Sequence, residues 1–211
     1  MIGRLVLTAL LSLAVAQGQE QRQQAPIPAA AKGLAANAPY TPVTANGRFY
    51  WFAKSTVGPR GLAAGVLSAG WGTAWNLPEE YERTWGGFGK RFGMRLTGVS
   101  TGNAIEASLG AAWGEDPRYI RSTDPRFWKR VRHAVKLSVY AYRRDGSVRP
   151  AYARAVGNVG NNFLSNTWRV ESESSTQDAL LRCVWGVLGR MAGNTFDEFW
   201  PDVRAKVLKR K

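Results

Sequence analysis

The residues with the most chemistry to offer lie in two short stretches. In Gly102-Asn103-Ala104-Ile105-Glu106-Ala107, the spacing of Asn103 and Glu106 puts an amide and a carboxylate on one helix face among small side chains. Such a carboxylate can serve as a buried acid, pair with an arginine or stay exposed. Asn158, Asn162 and Asn166 recur at i, i+4 and i+8, with Asn161 beside them. Amides spaced this way hydrogen-bond between helices where water is scarce. If Glu106 met this stripe and an arginine, a polar site would exist inside a bundle, and locking of the fold is the commoner use of such a network. The single His133 sits among Arg130, Arg132 and Lys136, and the single Cys183 lies in the apolar run Leu180-Leu181-Arg182-Cys183-Val184-Trp185. Neither has a partner at catalytic spacing. One Cys and one His also exclude an internal disulfide, a Cys/His zinc site and an iron–sulfur cluster. No metal or cofactor is expected.

The elements that must position these groups read as helical. Gly61 to Trp75 places apolar and small residues at spacings of three and four, and Pro78 stops the run. Glu79 to Trp113 carries Trp85, Phe88, Phe92, Leu96, Val99, Ile105 and Leu109 near one face. Asp116-Pro117-Arg118-Tyr119 and Asp124-Pro125-Arg126-Phe127 repeat one pattern, and each reads as a helix entrance, with aspartate as cap and proline in the first turn. A helix is expected from Pro125 to Tyr142 with Phe127, Val131, Val135 and Val139 on one face. Further segments run from Pro150 to Trp168, from Ser175 or Thr176 to about Met191, and from Phe196 to Leu208 with Pro201 interrupting the last. The expected fold is an all-α bundle of about six glycine-rich, closely packed helices. A rival reading takes the alternation at His133–Tyr140 and the turn signal Asp145-Gly146 as hairpins of an outer-membrane β-barrel.

Ahead of this domain, Arg4 precedes an apolar run from Leu5 to Ala16 ending in Ala14-Val15-Ala16, the layout of a secretory signal cleaved after Ala16. Twelve residues are too few to span ~30 Å of hydrocarbon as a helix. Residues 17–46, rich in Gln, Ala and Pro, read as a disordered linker, which leaves 47–211 as the helical domain.

Charge and aromatic content bear on partners. The chain of 211 residues has 29 Lys and Arg against 15 Asp and Glu, a net charge of +14, which falls to +13 once Arg4 is removed with the signal. Export carries that charge away from most nucleic acid, and no nucleic-acid-binding motif occurs. Anionic lipid or an envelope polymer is the better partner. Arg48 and Trp51, then Lys90 and Arg91, then Trp128, Lys129 and Arg130 set basic residues beside rings, as at the headgroup depth of a membrane. The same ring spacing also fits a packed core. The uncharged run Gly61 to Pro78 suits an interfacial or re-entrant segment better than a stable span. Gly61/Gly65, Gly89/Gly93, Gly98/Gly102 and Gly189/Gly193 are small-residue pairs through which helices, or copies of the chain, can approach closely.

Phe52-Ala53-Lys54-Ser55-Thr56-Val57-Gly58-Pro59-Arg60, Gly87-Phe88-Gly89-Lys90-Arg91-Phe92-Gly93, Asp116-Pro117-Arg118-Tyr119, Gly157-Asn158 and Phe199-Trp200-Pro201-Asp202 resemble an uncharacterised family of exported bacterial proteins over residues 48–204. The resemblance implies no activity. Members often carry a histidine just before the Asp-Pro-Arg-Tyr element; here Trp113-Gly114-Glu115 stand instead, so a site built on it does not carry over. The function expected is an exported non-catalytic envelope protein on an anionic membrane surface. The alternative is a hydrolase acting on lipid or cell-wall material around Glu106 with Glu79, Glu80 and Glu82.

Overall fold

The computed structural model describes residues 40–208. The expected signal segment and most of the expected linker lie outside them. Helix α1 (Ala45–Val57) starts at Thr44, whose hydroxyl accepts from the Gly47 N–H at 3.1 Å. Gly58 separates it from α2 (Pro59–Trp75), where Pro59 stands at the helix start and Asn76 ends the helix in the left-handed conformation. A 3₁₀ turn, Glu79–Tyr81, breaks the run expected to continue from Glu79. The long α3 (Trp85–Trp113) begins only at Thr84, which accepts from Gly87 N–H at 3.0 Å, and stops at Gly114 with φ 74°.

The Asp-Pro-Arg repeats do not both open helices. Each aspartate instead folds the chain back on the arginine two residues on. Asp116 Oδ1 accepts from the Arg118 N–H at 3.0 Å and from its Nε at 3.0 Å; Asp124 Oδ1 does the same for Arg126 at 2.9 and 3.0 Å. The intervening proline has no N–H to compete, so the carboxylate binds the next donor along. Only the second copy leads into a helix, α4 (Phe127–Val139). That helix ends three residues before the expected Tyr142, because β1 (Tyr140–Tyr142) pairs antiparallel with β2 (Val148–Pro150) around Asp145-Gly146. The hairpin signal was real, but it builds two short strands in a predominantly helical fold, not a barrel. Helix α5 (Tyr152–Leu164) follows, and α6 (Thr176–Leu208) runs through Pro201, which was expected to interrupt it.

Helix α3 packs most extensively on α5 and also on α2 and α1, while α6 lies against α4 and α5. The α3–α5 crossing is close: a Cβ on Gly157 would stand 2.8 Å from the Gly102 carbonyl oxygen. Gly98 and Gly102 face Asn161 across this contact, whereas Gly89, Gly93, Gly189 and Gly193 have open space where a Cβ would be.

The interior holds few large apolar side chains. Buried hydrophobic residues are mainly alanines, with Tyr81 and Leu137, while Arg48, Arg91, Arg154, Asn103, Glu106, Glu115, Asp116, Asn162, Asn194 and Glu198 are buried. The large apolar residues are outside. On α5, Ala153, Arg154, Gly157 and Asn162 point in, and Tyr152, Val156, Val159 and Phe163 point out. The same inversion holds for Leu62, Val66, Trp71 and Trp75 on α2 and for Leu180, Val184, Trp185 and Leu188 on α6. On α4, of Phe127, Val131, Val135 and Val139, expected on one face, Val131 is half-buried and the other three are exposed.

Candidate functional site

The polar groups singled out in the sequence converge on a cavity of about 700 Å³ between α2, α3, α5 and α6. Its floor is built on Glu106 of α3, which is 4% exposed. Glu106 Oε1 accepts from Arg154 Nε at 2.9 Å, and its Oε2 accepts from Arg190 Nη2 at 2.5 Å. Arg154 is held in turn by the carbonyls of Leu137 and Tyr140, which its Nη1 reaches at 2.5 and 3.0 Å. These carbonyls sit where α4 unwinds into β1, so the hairpin supplies acceptors that a continuous helix would have used itself. Burial pushes Arg190 below the usual guanidinium range, and the Glu106 carboxylate opposes that shift.

Asn103, Asn158 and Asn162 line the same cavity. Asn103 Nδ2 donates to Thr56 Oγ1 at 3.1 Å, tying α3 to α1. Asn158 Nδ2 donates to the Cys183 carbonyl at 2.9 Å, and Asn162 Nδ2 donates to the Asn158 carbonyl at 2.8 Å. Asn166 stands outside the cavity lining; its Nδ2 donates to the Ser175 carbonyl at 3.2 Å, and its Oδ1 accepts from Arg182. Neighbouring Asn161 lines the cavity with a buried Oδ1 that accepts no hydrogen bond among the described residues.

Residue spacing leaves room for an arginine beside Glu106 but singles out only Arg91 of those in the cavity, and that as an outward contact. Arg91, Arg95, Arg154, Arg169, Arg182 and Arg190 all line the cavity against two acids, Glu106 and Glu173. A signal for them exists. Arg154 continues the asparagine stripe one turn earlier, and Arg91, Arg95, Asn103 and Glu106 share one α3 face at spacings of four, eight and three. The acids proposed to work with Glu106 do not join it: Glu79, Glu80 and Glu82 are exposed and outside the cavity lining. Both Glu106 oxygens are committed to arginines, an arrangement suited to holding three helices rather than to moving protons.

The expected outward belt is reduced. Trp128 is 76% exposed, Lys90 and Lys129 are exposed, and Trp51 is half-buried. Arg48, Arg91 and Arg130 are corrected from contact residues to internal ones. Arg48 Nη2 donates to the Glu115 carbonyl at 2.8 Å. Arg91 reaches the carbonyls of Leu77, Glu82 and Pro78 at 2.8, 2.7 and 2.7 Å, clamping the turn between α2 and α3. Arg130 Nε donates at 2.6 Å to Glu198. A loop or helix end with unpaired carbonyls must find donors, and the five N–H groups of a guanidinium meet several at once.

Two further ionic clusters brace the fold. Glu198, 0% exposed, accepts from Arg130, from Tyr119 Oη at 2.7 Å and from Ser122 N–H at 3.0 Å. Desolvation is the largest single influence on Glu198 and pushes it up, but these three donors together hold it below the usual carboxylate range. Glu115 accepts from the Tyr152 and Ala153 N–H groups at 3.2 and 2.9 Å, capping α5 from across the hairpin. Tyr40 donates to Asp116 at 3.0 Å and stacks on Tyr142, so chain assigned to the linker contacts the helical body. His133 meets the Ile120 carbonyl at 2.9 Å.

No cluster of His, Cys, Asp or Glu able to hold a metal ion occurs among the described residues. No family model, curated protein or solved structure matches the chain.

Proposed function

We propose that the protein is an exported, non-catalytic component of the cell envelope that lies on an anionic membrane surface. The carrying observation is the inverted polarity of the bundle, with arginine, glutamate and asparagine inside and tryptophan, leucine and valine outside on α2, α4, α5 and α6. An exposed apolar surface of this extent marks a protein or membrane contact, and the nine exposed tryptophans, phenylalanines and tyrosines on those helices suit the interfacial zone, where a ring can bury its body and wet its edge. No helix among the described residues is long and apolar enough to cross a membrane, which favours a surface-seated mode. Glycine-mediated packing belongs to the same reading. Close approach at Gly102 and Gly157 lets helices adhere without a large apolar core. Export rests on the signal-like segment at residues 1–16. Lys90 is exposed, and Lys129, exposed with its Nζ 3.6 Å from Asp124, can exchange that surface pair for anionic headgroups.

The reading is tested by fractionating cells that express the full chain, washing the membranes with salt and then carbonate, and floating purified protein on vesicles containing anionic phospholipid. Recovery with membranes until the carbonate wash, and co-flotation, are expected. A protein found only in the soluble fraction that ignores such vesicles overturns it.

A further inference from the structure

The cavity that Glu106 floors holds more positive charge than the fold uses. Six arginines line it against two glutamates, an excess of four positive charges. Arg91 and Arg154 spend their donors on backbone carbonyls, and Arg169 pairs with Glu173 at 2.5 Å, so these three are structural. The other three have donors to spare. Arg95 makes no hydrogen bond or ion pair among the described residues; it is half-buried, and desolvation lowers its pKa with no acid to compensate. Arg182 gives Nη1 to the Glu173 carbonyl at 2.7 Å and Nη2 to the Asn162 carbonyl at 3.1 Å and to Asn166, but its buried Nε has no partner among the described residues. Arg190 commits one nitrogen to Glu106. A buried guanidinium nitrogen without an acceptor is costly, and Arg182 Nε is one; with further N–H groups of Arg95 and Arg190 lining the same space, the cavity suits something that supplies acceptors.

The walls narrow the chemistry. The floor, at Asn103, Glu106, Arg154 and Gly157, is buried and polar, whereas the rim includes Leu77, Val139 and Trp185, which are exposed. A volume near 700 Å³ is that of a site for a ligand well beyond a bare inorganic ion. Guanidinium forks match the oxygens of a phosphoryl group, with two parallel N–H donors per arginine. We infer that the cavity binds an amphiphilic phosphate ester, its phosphoryl group held by Arg95, Arg182 and Arg190 and its apolar body leaving past Trp185 and Leu77.

This site stands apart from the membrane-surface reading, because it is measured with a soluble ligand and no vesicles. The experiment is calorimetric titration of the full chain with dihexanoyl phosphatidic acid below its micelle concentration, beside inorganic phosphate, glycerol 3-phosphate and dihexanoyl phosphatidylcholine. Saturable one-to-one binding of the phosphatidic acid is expected, with the zwitterionic lipid at least tenfold weaker. Arg95→Gln should weaken binding at least tenfold while leaving the unliganded melting temperature equal or higher, since it removes a charge that nothing balances. Arg132→Gln, on the exposed side of α4, should change affinity less than twofold and controls for net charge. Inorganic phosphate or glycerol 3-phosphate binding as tightly as the lipid would remove the apolar rim from the site and overturn the amphiphile. Phosphatidic acid affinity unmoved by Arg95→Gln would overturn the cavity itself.

Discussion

Replacing Glu106 by glutamine separates a structural carboxylate from a catalytic one. The substitution keeps the shape and removes the charge that faces Arg154 and Arg190. Arg154 is almost fully buried and keeps its carbonyl partners, so its loss is mainly Coulombic; Arg190 is 29% exposed at its side chain and recovers part of its hydration. Removing one partner of a buried ion pair typically costs ~3–5 kcal/mol. The partial exposure of Arg190 argues for the lower end, about 3 kcal/mol. For a domain of this size that corresponds to a fall in melting temperature of roughly 6–12 °C. Thermal and urea unfolding followed by circular dichroism measure it. In the double variant Glu106→Gln/Arg190→Gln the second change should cost less than Arg190→Gln does alone, because the two side chains share one interaction. A loss below about 1 kcal/mol, with the two changes additive, would refute the argument that this carboxylate ties α3, α5 and α6 together.

Two other perturbations follow from the same packing. Gly157→Ala drives a Cβ to 2.8 Å from the Gly102 carbonyl and should destabilise by ~1–3 kcal/mol, whereas Gly189→Ala, with nothing within 4 Å, should stabilise by up to ~1 kcal/mol; equal signs in urea unfolding would contradict the helix contact. Glu198 is held below the unfolded glutamate value of ~4.3, so its contribution is complete above that value and is lost as pH falls through the depressed folded value. Melting temperature should therefore drop on acidification below about pH 4, and Glu198→Gln, less stable at neutral pH, should show a shallower drop; parallel curves for the two proteins would remove Glu198 from the acid response.

Much of the helical architecture can be read from the chain, and the reasons for the failures are physical. Pro78 and the uncharged run from Gly61 mark α2 closely, and the asparagine spacing marks the face of α5 that meets α3. Periodicity states that a helix has two faces without stating which is inside. For Phe127, Val135 and Val139 the usual assumption of apolar-inward reverses the answer. The aspartates of the Asp-Pro-Arg repeats look like helix caps until Arg118 and Arg126 are seen taking the carboxylates. Arginines were assigned to the surface because solvation is cheap there. The carbonyls that draw Arg91 and Arg154 inward belong to a turn and a helix end whose geometry no local spacing announces, and Arg130 turns in to Glu198, 68 residues along the chain.

That inward draw changes what the net charge of +14 predicts for membrane binding. Arg48, Arg91 and Arg154 are buried, and Arg118, Arg130, Arg143 and Arg190 are paired with acids. Among the described residues the exposed cations outside any salt bridge, Lys54, Arg83, Lys90, Arg132, Lys136, Arg144, Arg149, Arg204 and Lys206, are scattered over several elements, and each adds only ~1 kcal/mol where it lies near an anionic surface. The exposed rings offer more. Trp71 is 63% and Trp75 57% exposed, which leaves ~100 Å² of each ring to bury, or about 2.5 kcal/mol apiece. Binding should thus be dominated by the apolar term and survive 1 M NaCl, where charges are screened beyond ~3 Å. Trp71→Ser/Trp75→Ser, at two exposed rings outside the cavity lining, should reduce co-flotation with anionic vesicles by orders of magnitude, and Lys90→Gln/Lys129→Gln only by about tenfold to thirtyfold. Release of the unaltered protein by moderate salt, with the tryptophan variant still bound, would place the contact on the cations after all and leave the exposed apolar faces without a role at the membrane.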